Sequence, residues 1–594
     1  MCGIVGYIGD KHNAVDVLLN GLKSLEYRGY DSAGIAFIKN NEVNIVKTSG
    51  RIKNLEDKIN GVDISDTKMG IGHTRWATHG VPNDINSHPH KVDHVTIIHN
   101  GIIENYESLK QELLSKGYNF ISETDTEIAC ALISDIYKRE KDKIKVLIEA
   151  SNLLRGSYAL GIIFDDEEDS IYAMRKDSPL IIALGDGENF IASDVPAILK
   201  YTNKYILLEK DEYAKVTKDK VTIYDKNCNE LDKKIEIATW TIKQASKGGY
   251  NHFMLKEIYE QPEAIGKVTE HYLDEKTMID FSKYDTFHIV GCGSAMYAGI
   301  IGRYLIEKFA NKIVMTEIAS EYRYRNIKFD DKTLVIIISQ SGETADSLAA
   351  LKLAKEHNID TLAIVNVVGS SIAREAKYVM YMHVGPEIAV ATTKAFSAQV
   401  AILSLIALHL YQGDDKDNIY REIKNITNYL DSILANKELY LDIAKMLYDK
   451  EHVFFIGRGV DYALCMEGSL KLKEISYIHS EAYAAGELKH GTISLIEPGT
   501  PVIGITTDKN LVEKTISNIK ETHARGAYIV LITTEDLDIE SDFYNKKIVL
   551  PSTNDFMAPL MAIIPLQLIA YEVAKMRGLD IDKPRNLAKS VTVE

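Results

Sequence analysis

The feature that most limits the possible folds is a strand, loop and helix pattern that occurs twice in the second half of the chain. DTFHIVGCGSAMYAGIIGRYLIEKF and DKTLVIIISQSGETADSLAALKLAKEH each join an apolar run to a glycine or serine loop and a helical pattern. EHVFFIGRGVDYALCMEGSLKLKEIS and PVIGITTDKNLVEKTISNIK then repeat that order. Uninterrupted Ile, Val, Leu and Phe strands are typical of parallel sheets covered on both faces. The pattern therefore predicts an α/β domain that is duplicated in tandem.

The first third of the chain has a different pattern, in which short apolar runs occur in pairs. SAGIAFIKN and EVNIVKT flank Asn40-Asn41, as the strands of an antiparallel hairpin flank their turn. AVDVLLNGLKSLE and TEIACALISDIYKRE have helical spacing. This part is therefore predicted to be an α+β unit built on antiparallel sheet.

A usual domain length of about 100 to 200 residues predicts two to four compact units in 594 residues, and the patterns divide the chain into five segments, three of them of domain size. A polar stretch with Gly248-Gly249 and a charged helical pattern separates the two halves and is predicted to be a connector. The predicted segments are the antiparallel α+β domain, the linker, two α/β domains and a C-terminal tail: residues 1–238, 239–282, 283–435, 436–583 and 584–594.

Composition excludes several classes of protein. The net charge of -16 argues against nucleic acid or an anionic membrane as partner, because both require a basic surface. No uninterrupted apolar stretch approaches the roughly 18 to 20 residues that span a bilayer. The five cysteines are scattered and odd in number, which fits a reducing cytoplasm. We therefore expect a cytoplasmic globular protein.

The residue behind the initiator methionine is a cysteine. Removal of Met1 before a small residue would leave Cys2 with a thiol and a free α-amine, whose pKa of roughly 7.7 to 8.0 lets it accept the thiol proton. One residue would then be both nucleophile and base. The alternative interpretation is a frayed N-terminus, and position alone does not decide between them.

Three other places in the first third carry polar groups suited to a substrate. Arg75 could clamp a carboxylate, Asn100-Gly101 could donate an amide and a backbone N–H to an oxyanion, and Asp125 could hold an amino group. The structural alternatives are a surface ion pair for Arg75, a hairpin turn at Asn100-Gly101 and a helix N-cap at Asp125.

Taken together, MCGIVGYIG, LEYRGYDSAG, GHTRWATHG, HNGIIENY and ETDTE resemble, in this order, the N-terminal-nucleophile glutamine amidotransferase domains. That resemblance implies stacked antiparallel sheets between helices and release of ammonia from L-glutamine. It makes Cys2 the nucleophile and Asn100 and Gly101 the oxyanion hole. The residues that it implies for glutamine binding are Arg75, Trp76, Thr78, His79 and Asp125.

In the first α/β copy, SQSGET stands between a strand and a helix. Hydroxyls of Ser339, Ser341 and Thr344, with the backbone amides of Gln340 and Gly342, form an uncharged cradle of the kind that binds a phosphate monoester. The loop lacks the Gly-Lys-Ser/Thr of a P-loop, and GCGS lacks the full G-x-G-x-x-G dinucleotide pattern. We therefore expect no nicotinamide or other cofactor, and no metal. The alternative is an ordinary capped turn.

In the second copy, the stretch SLKLKEISYIHSEAYAAGELKHG is predicted to be a helix that breaks at AAGELKHG. Lys471 and Glu474 are three residues apart and share a helix face, where a lysine can assist a carboxylate in proton transfer. His490 in the break could titrate near neutrality. The alternative for the Lys471 and Glu474 pair is a solvated helix face.

SQSGET, LKLKEISYIHSEAY, GELKHG and the ending KPRNLAKSVTVE, behind a glutaminase domain, resemble the isomerizing glutamine:fructose-6-phosphate aminotransferases over essentially the whole chain. The resemblance implies two sugar-isomerase domains and the conversion of D-fructose 6-phosphate and L-glutamine to D-glucosamine 6-phosphate and L-glutamate. It also implies that His490 opens the sugar ring, Lys589 forms a Schiff base with the C2 ketone, and Glu474 moves the proton between C1 and C2 with help from Lys471. The sugar-phosphate contacts implied are Ser294, Ser339, Gln340, Ser341, Thr344, Val390 and Ala391.

The same resemblance implies an ammonia channel gated by Trp76, with Ala588 and Val591 of the tail in its wall. It implies at least a homodimer, because His490 comes from the neighbouring subunit in this family. Ala295, Ala389 and Thr392 depart from the usual serine, glycine and serine, so Ala295 is not a candidate site residue.

Two other functions stay open from the sequence. One is a different amidotransferase of the same N-terminal class, although the chain shows no pyrophosphate or ATP-binding loop. The other is a regulator that senses a sugar phosphate, although no DNA-binding module is evident.

Overall fold

The computed structural model describes residues 2–238, 244 and 246–592. The chain divides into two compact units. The first unit comprises residues 1–245 together with 588–594, and the second comprises residues 246–587.

The first unit is an α+β fold with two antiparallel sheets. Its strands are β1 (Gly3–Gly9), β2 (Ser32–Lys39), β3 (Glu42–Ser49), β4 (Met69–Arg75), β5 (His90–Val92), β6 (Val95–Ile103), β7 (Gly156–Phe164), β8 (Ile171–Arg175), β9 (Ile181–Leu184), β10 (Glu188–Ala192), β11 (Lys204–Leu207), β12 (Glu212–Val216), β13 (Val221–Tyr224), β14 (Glu230–Leu231) and β15 (Glu236–Ile237). Its helices are α1 (Ala14–Leu25), α2 (Ile52–Ile59), α3 (Tyr106–Ser115), α4 (Asp125–Arg139) and α5 (Lys143–Leu153), with a 3₁₀ turn at Val195–Ala197.

The two sheets stack on each other and are covered by helices. One sheet has the order β15-β11-β9-β10-β1-β4-β2-β3, and the other has the order β14-β13-β12-β8-β7-β6-β5. Ile4 and Ile191 of the first sheet share one core with Ile98 and Ile163 of the second. The predicted hairpin around Asn40-Asn41 is confirmed, because Lys39 pairs with Glu42 and both turn residues have positive φ.

The second unit contains two parallel sheets. Its strands are β16 (Thr286–Gly291), β17 (Ile313–Ile318), β18 (Thr333–Ser339), β19 (Asp360–Val365), β20 (Tyr378–Tyr381), β21 (His452–Gly457), β22 (His479–Ala484), β23 (Pro501–Thr506), β24 (Tyr528–Thr534) and β25 (Lys546–Leu550). Its helices are α6 (Phe253–Tyr259), α7 (Gln261–Tyr272), α8 (Ser294–Ala310), α9 (Ala319–Tyr322), α10 (Ala345–Glu356), α11 (Ser371–Glu375), α12 (Lys394–Leu410), α13 (Lys416–Ile423), α14 (Ile426–Leu434), α15 (Lys437–Leu447), α16 (Val460–Ser476), α17 (Val512–His523) and α18 (Ala558–Met576). Short 3₁₀ turns cover Glu275–Thr277, Leu488–His490 and Thr492–Leu495.

The predicted duplication is confirmed by the strand order. The first sheet has the order β17-β16-β18-β19-β20 and the second has the order β22-β21-β23-β24-β25. In both, the first strand of the copy lies between its second and third strands, and the fourth and fifth strands follow the third. Neighbouring residues of β18 face opposite sides, since Ile336 packs with α8 and α12 whereas Ile337 packs with α10. Both faces are therefore buried, as the uninterrupted apolar runs require.

Part of the segment predicted to be a linker is folded. Residues 253–272 form α6 and α7, and Met254, Ile258 and Ile265 are fully buried in the core of the second unit. These three apolar residues lie among charged residues in the sequence, so the pattern indicates a charged helix and does not predict that they are buried.

One expectation from the sequence is wrong. The helix α16 ends at Ser476 rather than at AAGELKHG, because Tyr477 adopts a left-handed conformation with φ of 60° and a strand follows. Among the described residues, α18 is long and apolar enough to cross a membrane, although the sequence shows no uninterrupted run of that length. Its most apolar window is 83% buried, as in a core helix.

Candidate functional site

The first group of candidate residues surrounds Cys2, at the start of β1. The Cys2 thiol is partly buried, and the backbone N–H of Trp76 donates to its Sγ at 3.2 Å. Burial raises the pKa of the Cys2 thiol, and this N–H opposes the shift because it stabilises the thiolate. The strand pairing of β1 with β4 places Cys2 beside the segment that follows Arg75.

Asn100 and Gly101 lie inside β6, so they are not a hairpin turn. The Asn100 side-chain amide donates to the carbonyl oxygen of Cys2 at 3.0 Å, which places a donor beside the candidate nucleophile. His73 Nε2 lies 3.2 Å from Asn100 Oδ1, and burial lowers the pKa of His73 to about 3. A neutral His73 can donate to Oδ1 and so keep the Asn100 amide nitrogen directed at Cys2.

Gly101 has a backbone conformation that only glycine fits. Its φ is 116°, and a Cβ at this position would lie 1.9 Å from the carbonyl oxygen of Ser157 on β7. The close approach of β6 and β7 therefore requires the missing side chain.

Arg75 is 3% exposed, which excludes a surface ion pair. Its guanidinium donates to the carbonyl oxygens of His79 and Gly80, whereas its Nη1 is buried with no hydrogen-bond partner in the described part of the chain. An unused buried N–H donor is what a substrate carboxylate needs.

Asp125 is the first residue of α4, and the helix is capped by Thr124 instead. The Thr124 side chain accepts from the backbone of Glu127 at 3.3 Å, and Asp125 accepts from the N–H of Ile103 on β6 at 2.8 Å. Of the other glutamine-binding candidates, Trp76 and His79 are half-buried and Thr78 is exposed.

The second group of candidates lies at the carboxyl edge of the first parallel sheet. In SQSGET, the Ser339 hydroxyl accepts from the N–H of Gly342 at 3.0 Å and lies 3.0 Å from the hydroxyl of Thr344. The Ser341 hydroxyl accepts from the N–H of Glu343 at 3.2 Å. Three hydroxyls thus gather in the turn before α10, where helix N–H groups favour an anion.

A buried ionic cluster joins α8 of the first copy to α16 of the second. Lys471 Nζ lies 2.5 Å from Glu474 Oε2, 3.4 Å from Glu467 Oε1 and 3.2 Å from the hydroxyl of Ser294. Ser294 also donates to Glu467 at 3.0 Å. The Lys471 and Glu467 side chains are fully buried and that of Glu474 is 20% exposed, so the pair is not a solvated helix face.

The two carboxylates of this cluster have different environments. Burial raises the pKa of Glu467 to about 7, against the attraction of Lys471. Burial also opposes the charge of Lys471, but Glu467 and Glu474 outweigh it and raise the pKa of this lysine. Glu474 is the more exposed of the two carboxylates, so it stays the candidate for proton exchange with a substrate.

Glu467 is a residue that the sequence reasoning missed. Glu467, Lys471 and Glu474 have i, i+4 and i+7 spacing, which places all three on one face of a helix. That spacing was the available signal.

The other residues predicted to contact the sugar or the ammonia channel lie in several different parts of the structure. His490 is exposed in the short turn Leu488–His490. Val390 and Ala391 are buried in the loop between β20 and α12, at the carboxyl edge of the first sheet. Ala588, Lys589 and Val591 belong to the first unit, whereas Glu474 belongs to the second. The roles of these residues stay predictions.

Among residues 2–238, 244 and 246–592, no group of three or more His, Cys, Asp or Glu side chains is arranged to hold a metal ion.

Family comparisons match both parts of the chain. Residues 73–200 match the glutamine amidotransferase domain, and residues 280–409 and 446–577 each match the SIS domain. A glutamine–fructose-6-phosphate aminotransferase (isomerizing) from Caldanaerobacter subterraneus subsp. tengcongensis is 49% identical over 613 aligned positions that cover all of both chains. Proteins of the same name from Clostridium tetani and Thermococcus kodakarensis are 48% and 45% identical, also over the full length of both chains.

A solved structure matches the second unit. The C-terminal domain of a glucosamine-fructose-6-phosphate aminotransferase from Francisella tularensis is 39% identical, with a TM-score of 0.55, and covers 57% of this chain and 99% of that one. The chain therefore belongs to the family of isomerizing glutamine–fructose-6-phosphate aminotransferases.

Proposed function

We propose that this chain converts D-fructose 6-phosphate and L-glutamine to D-glucosamine 6-phosphate and L-glutamate. The observation that carries the proposal is the full-length similarity to enzymes of that name, together with a candidate nucleophile in the first unit and a candidate proton-transfer cluster in the second. The chain supplies the groups that each half of the reaction needs.

In the first half, Cys2 attacks the side-chain amide carbon of glutamine. After Met1 is removed, the α-amine of Cys2 takes the thiol proton and passes it to the leaving nitrogen, so a thioester forms and ammonia departs. Asn100 and Gly101 donate to the oxyanion, and Arg75 and Asp125 hold the carboxylate and the amino group. Water then hydrolyses the thioester and releases glutamate.

Ammonia then reaches the sugar without entering bulk water, where it would be protonated. Trp76 gates the channel, and Ala588 and Val591 form part of its wall. The enzyme is proposed to be a cytoplasmic homodimer, in which His490 of the neighbouring copy reaches the sugar.

In the second half, the hydroxyls of Ser339, Ser341 and Thr344 bind the phosphate. His490 opens the ring, and the amine of Lys589 condenses with the C2 ketone with loss of water. Ammonia displaces that amine, and Glu474 then removes the C1 proton and returns it to C2, with the charge of Lys471 beside it. The product is the 2-amino aldose.

The test is a product assay on the purified full chain with an intact-mass measurement of its N-terminus. We expect glucosamine 6-phosphate from fructose 6-phosphate and glutamine only when Met1 is absent. The Cys2→Ala variant should lose glutamine-dependent synthesis and keep the isomerisation of fructose 6-phosphate. Absence of product with the processed wild-type chain would reject the proposal.

The covalent role of Lys589 has its own test. Borohydride reduction in the presence of fructose 6-phosphate should attach the sugar to Lys589, and peptide mass spectrometry locates the adduct. Labelling of a different lysine contradicts the assignment.

A further inference from the structure

The loop between β20 and α12 shares the carboxyl edge of the first sheet with SQSGET. In parallel α/β sheets, ligands bind at this edge. Asn366 links the two loops, because its N–H donates to the carbonyl oxygen of Gln340 at 3.1 Å and its side-chain amide donates to that of Gly385 at 2.7 Å. The position of the second loop is therefore tied to that of the phosphate cradle.

This second loop is held from the inside by a carboxylate on α6. The Glu257 side chain accepts from the N–H of Ile388 at 2.5 Å and from the N–H of Ala389 at 3.2 Å. Glu257 is 2% exposed, so these bonds form away from water. Hydrogen bonds to a buried charged acceptor are stronger than those between neutral groups.

A second carboxylate shapes the other end of the loop. Glu387 accepts from the N–H groups of Thr393 and Ala395, both at 3.0 Å, and from the hydroxyl of Thr392 at 2.7 Å. The threonine that replaces the usual serine thus bonds within the loop.

The helix that carries Glu257 is itself fixed to the same loop. The Asp582 carboxylate accepts from the N–H groups of Phe253 and Met254 at the start of α6, at 2.9 and 3.0 Å. The carbonyl oxygen of Asp582 accepts from the N–H of Val390 at 3.0 Å. Glu257 and Asp582 therefore bind three consecutive residues of the loop, 388–390.

We propose that Glu257 is a positioning residue for the sugar-phosphate site, because it holds the backbone of Ile388 and Ala389, directly before the two residues that meet the sugar. This inference rests on the proposed function, because it takes Val390 and Ala391 as sugar contacts. It gives the segment ahead of the first sugar-isomerase domain a part in substrate binding.

A carboxylate is the group that this position requires. Its oxygen accepts two N–H groups at once and brings no hydrogen to the site. Both N–H groups donate to the same oxygen, Oε1, so glutamine could accept them with its single oxygen, but without the negative charge that strengthens these bonds. Aspartate keeps the charge but is one methylene shorter, so it cannot reach both N–H groups.

The test compares Glu257→Gln and Glu257→Asp with Glu263→Gln in the full chain. Glu263 lies on α7 in the same segment, and its side chain is 72% exposed, so it is a matched control. Calorimetric titration measures the affinity for fructose 6-phosphate, and steady-state kinetics measure KM, kcat and the rate of glutamine hydrolysis.

We expect Glu257→Gln to weaken fructose 6-phosphate binding by about tenfold or more and to raise its KM more than it lowers kcat. Glu257→Asp should show a loss at least as large, because its shorter side chain leaves at least one of the two N–H groups without its acceptor, while Glu263→Gln and the glutamine hydrolysis of all variants stay unchanged. Binding by Glu257→Gln within twofold of wild type overturns the inference. If Glu257→Gln does not fold, wild-type affinity in Glu257→Asp overturns it.

The two failures can be told apart. If the wild-type chain binds fructose 6-phosphate but makes no glucosamine 6-phosphate, the proposed function fails, and the affinities of the variants still decide the role of Glu257. If the wild-type chain makes the product and Glu257→Gln binds the sugar normally, only the inference about Glu257 fails.

Discussion

Replacement of Gly342 by alanine should weaken sugar-phosphate binding through one identifiable overlap. Gly342 has φ of 65°, and a Cβ there would lie 2.0 Å from Ser370 Oγ and 2.5 Å from Ser370 Cβ. Rotation of the serine hydroxyl removes the first contact but not the second, so the backbone of SQSGET or of the Ser370 turn must move. Overpacking of this kind costs about 1 to 3 kcal/mol.

Which measurement changes depends on whether SQSGET moves to relieve the overlap. If SQSGET shifts to relieve the overlap, binding of the phosphate must restore its position, and the affinity for fructose 6-phosphate falls by about 5- to 150-fold. If the loop does not shift, the same cost lowers the free energy of unfolding of the second unit. Calorimetric titration with fructose 6-phosphate and thermal unfolding of Gly342→Ala measure both parts.

Gly578→Ala is the control, because Gly578 has nearly the same φ of 66° and a Cβ there would meet no atom within 4 Å. Gly578→Ala should lose about 1 to 2 kcal/mol of stability from the left-handed backbone conformation alone, because the new Cβ overlaps no atom. Ser370→Gly should rescue Gly342→Ala, since the next atom, Val365 Cγ1, would lie at an ordinary 3.4 Å from the new Cβ. Equal total effects in Gly342→Ala and Gly578→Ala, or no rescue, would refute the reasoning.

Two further predictions concern the two catalytic halves. Gly101→Ala should reduce glutamine hydrolysis by about 100- to 1,000-fold, because the new Cβ overlaps the Ser157 carbonyl oxygen and displaces the backbone N–H that donates to the oxyanion. Isomerisation of fructose 6-phosphate, measured in the same sample, should be unaffected. Glu467→Gln should flatten the pH dependence of the thermal stability of the second unit. The folded pKa of about 7 lies above the ordinary value of 4.5, so this carboxyl stabilises the fold fully below about pH 4, and about 3 kcal/mol of that stabilisation is lost as the pH rises from there to 7. Melting curves between pH 5 and 8 that stay parallel for the variant and wild type would contradict this.

The sequence allows the sheets to be predicted because their signals are local. Continuous apolar strands such as that before Ser339 identify a parallel sheet, and Asn40-Asn41 identifies an antiparallel hairpin, within a few residues of chain. Motif resemblance identified the residues that gather at Cys2, although it could not show that Asn100 contacts the Cys2 backbone or that Arg75 has an unused N–H group.

Contacts between distant residues could not be predicted. Glu257 binds Ile388 from 131 positions away, and a charged helical pattern gives no sign that one of its glutamates points into the core. The contact of Glu467 with Ser294 is hidden in the same way, because Ser294 lies 173 positions earlier, in the other copy. The end of α16 depends on one residue, Tyr477, in a left-handed conformation that tyrosine rarely adopts.

The duplicated sheets have an evolutionary consequence. Gly293 and Gly459 precede α8 and α16 with almost identical backbone angles, φ 55° and ψ -125° against φ 57° and ψ -126°, so the two copies have kept the same turn. After that turn they differ, since the first copy carries the hydroxyl cradle and the second carries Glu467, Lys471 and Glu474. On the proposed assignment, the two copies divide the work, because the first binds the phosphate and the second moves the proton. Loss of either copy would then remove one of the two functions, so both copies must be retained together in evolution.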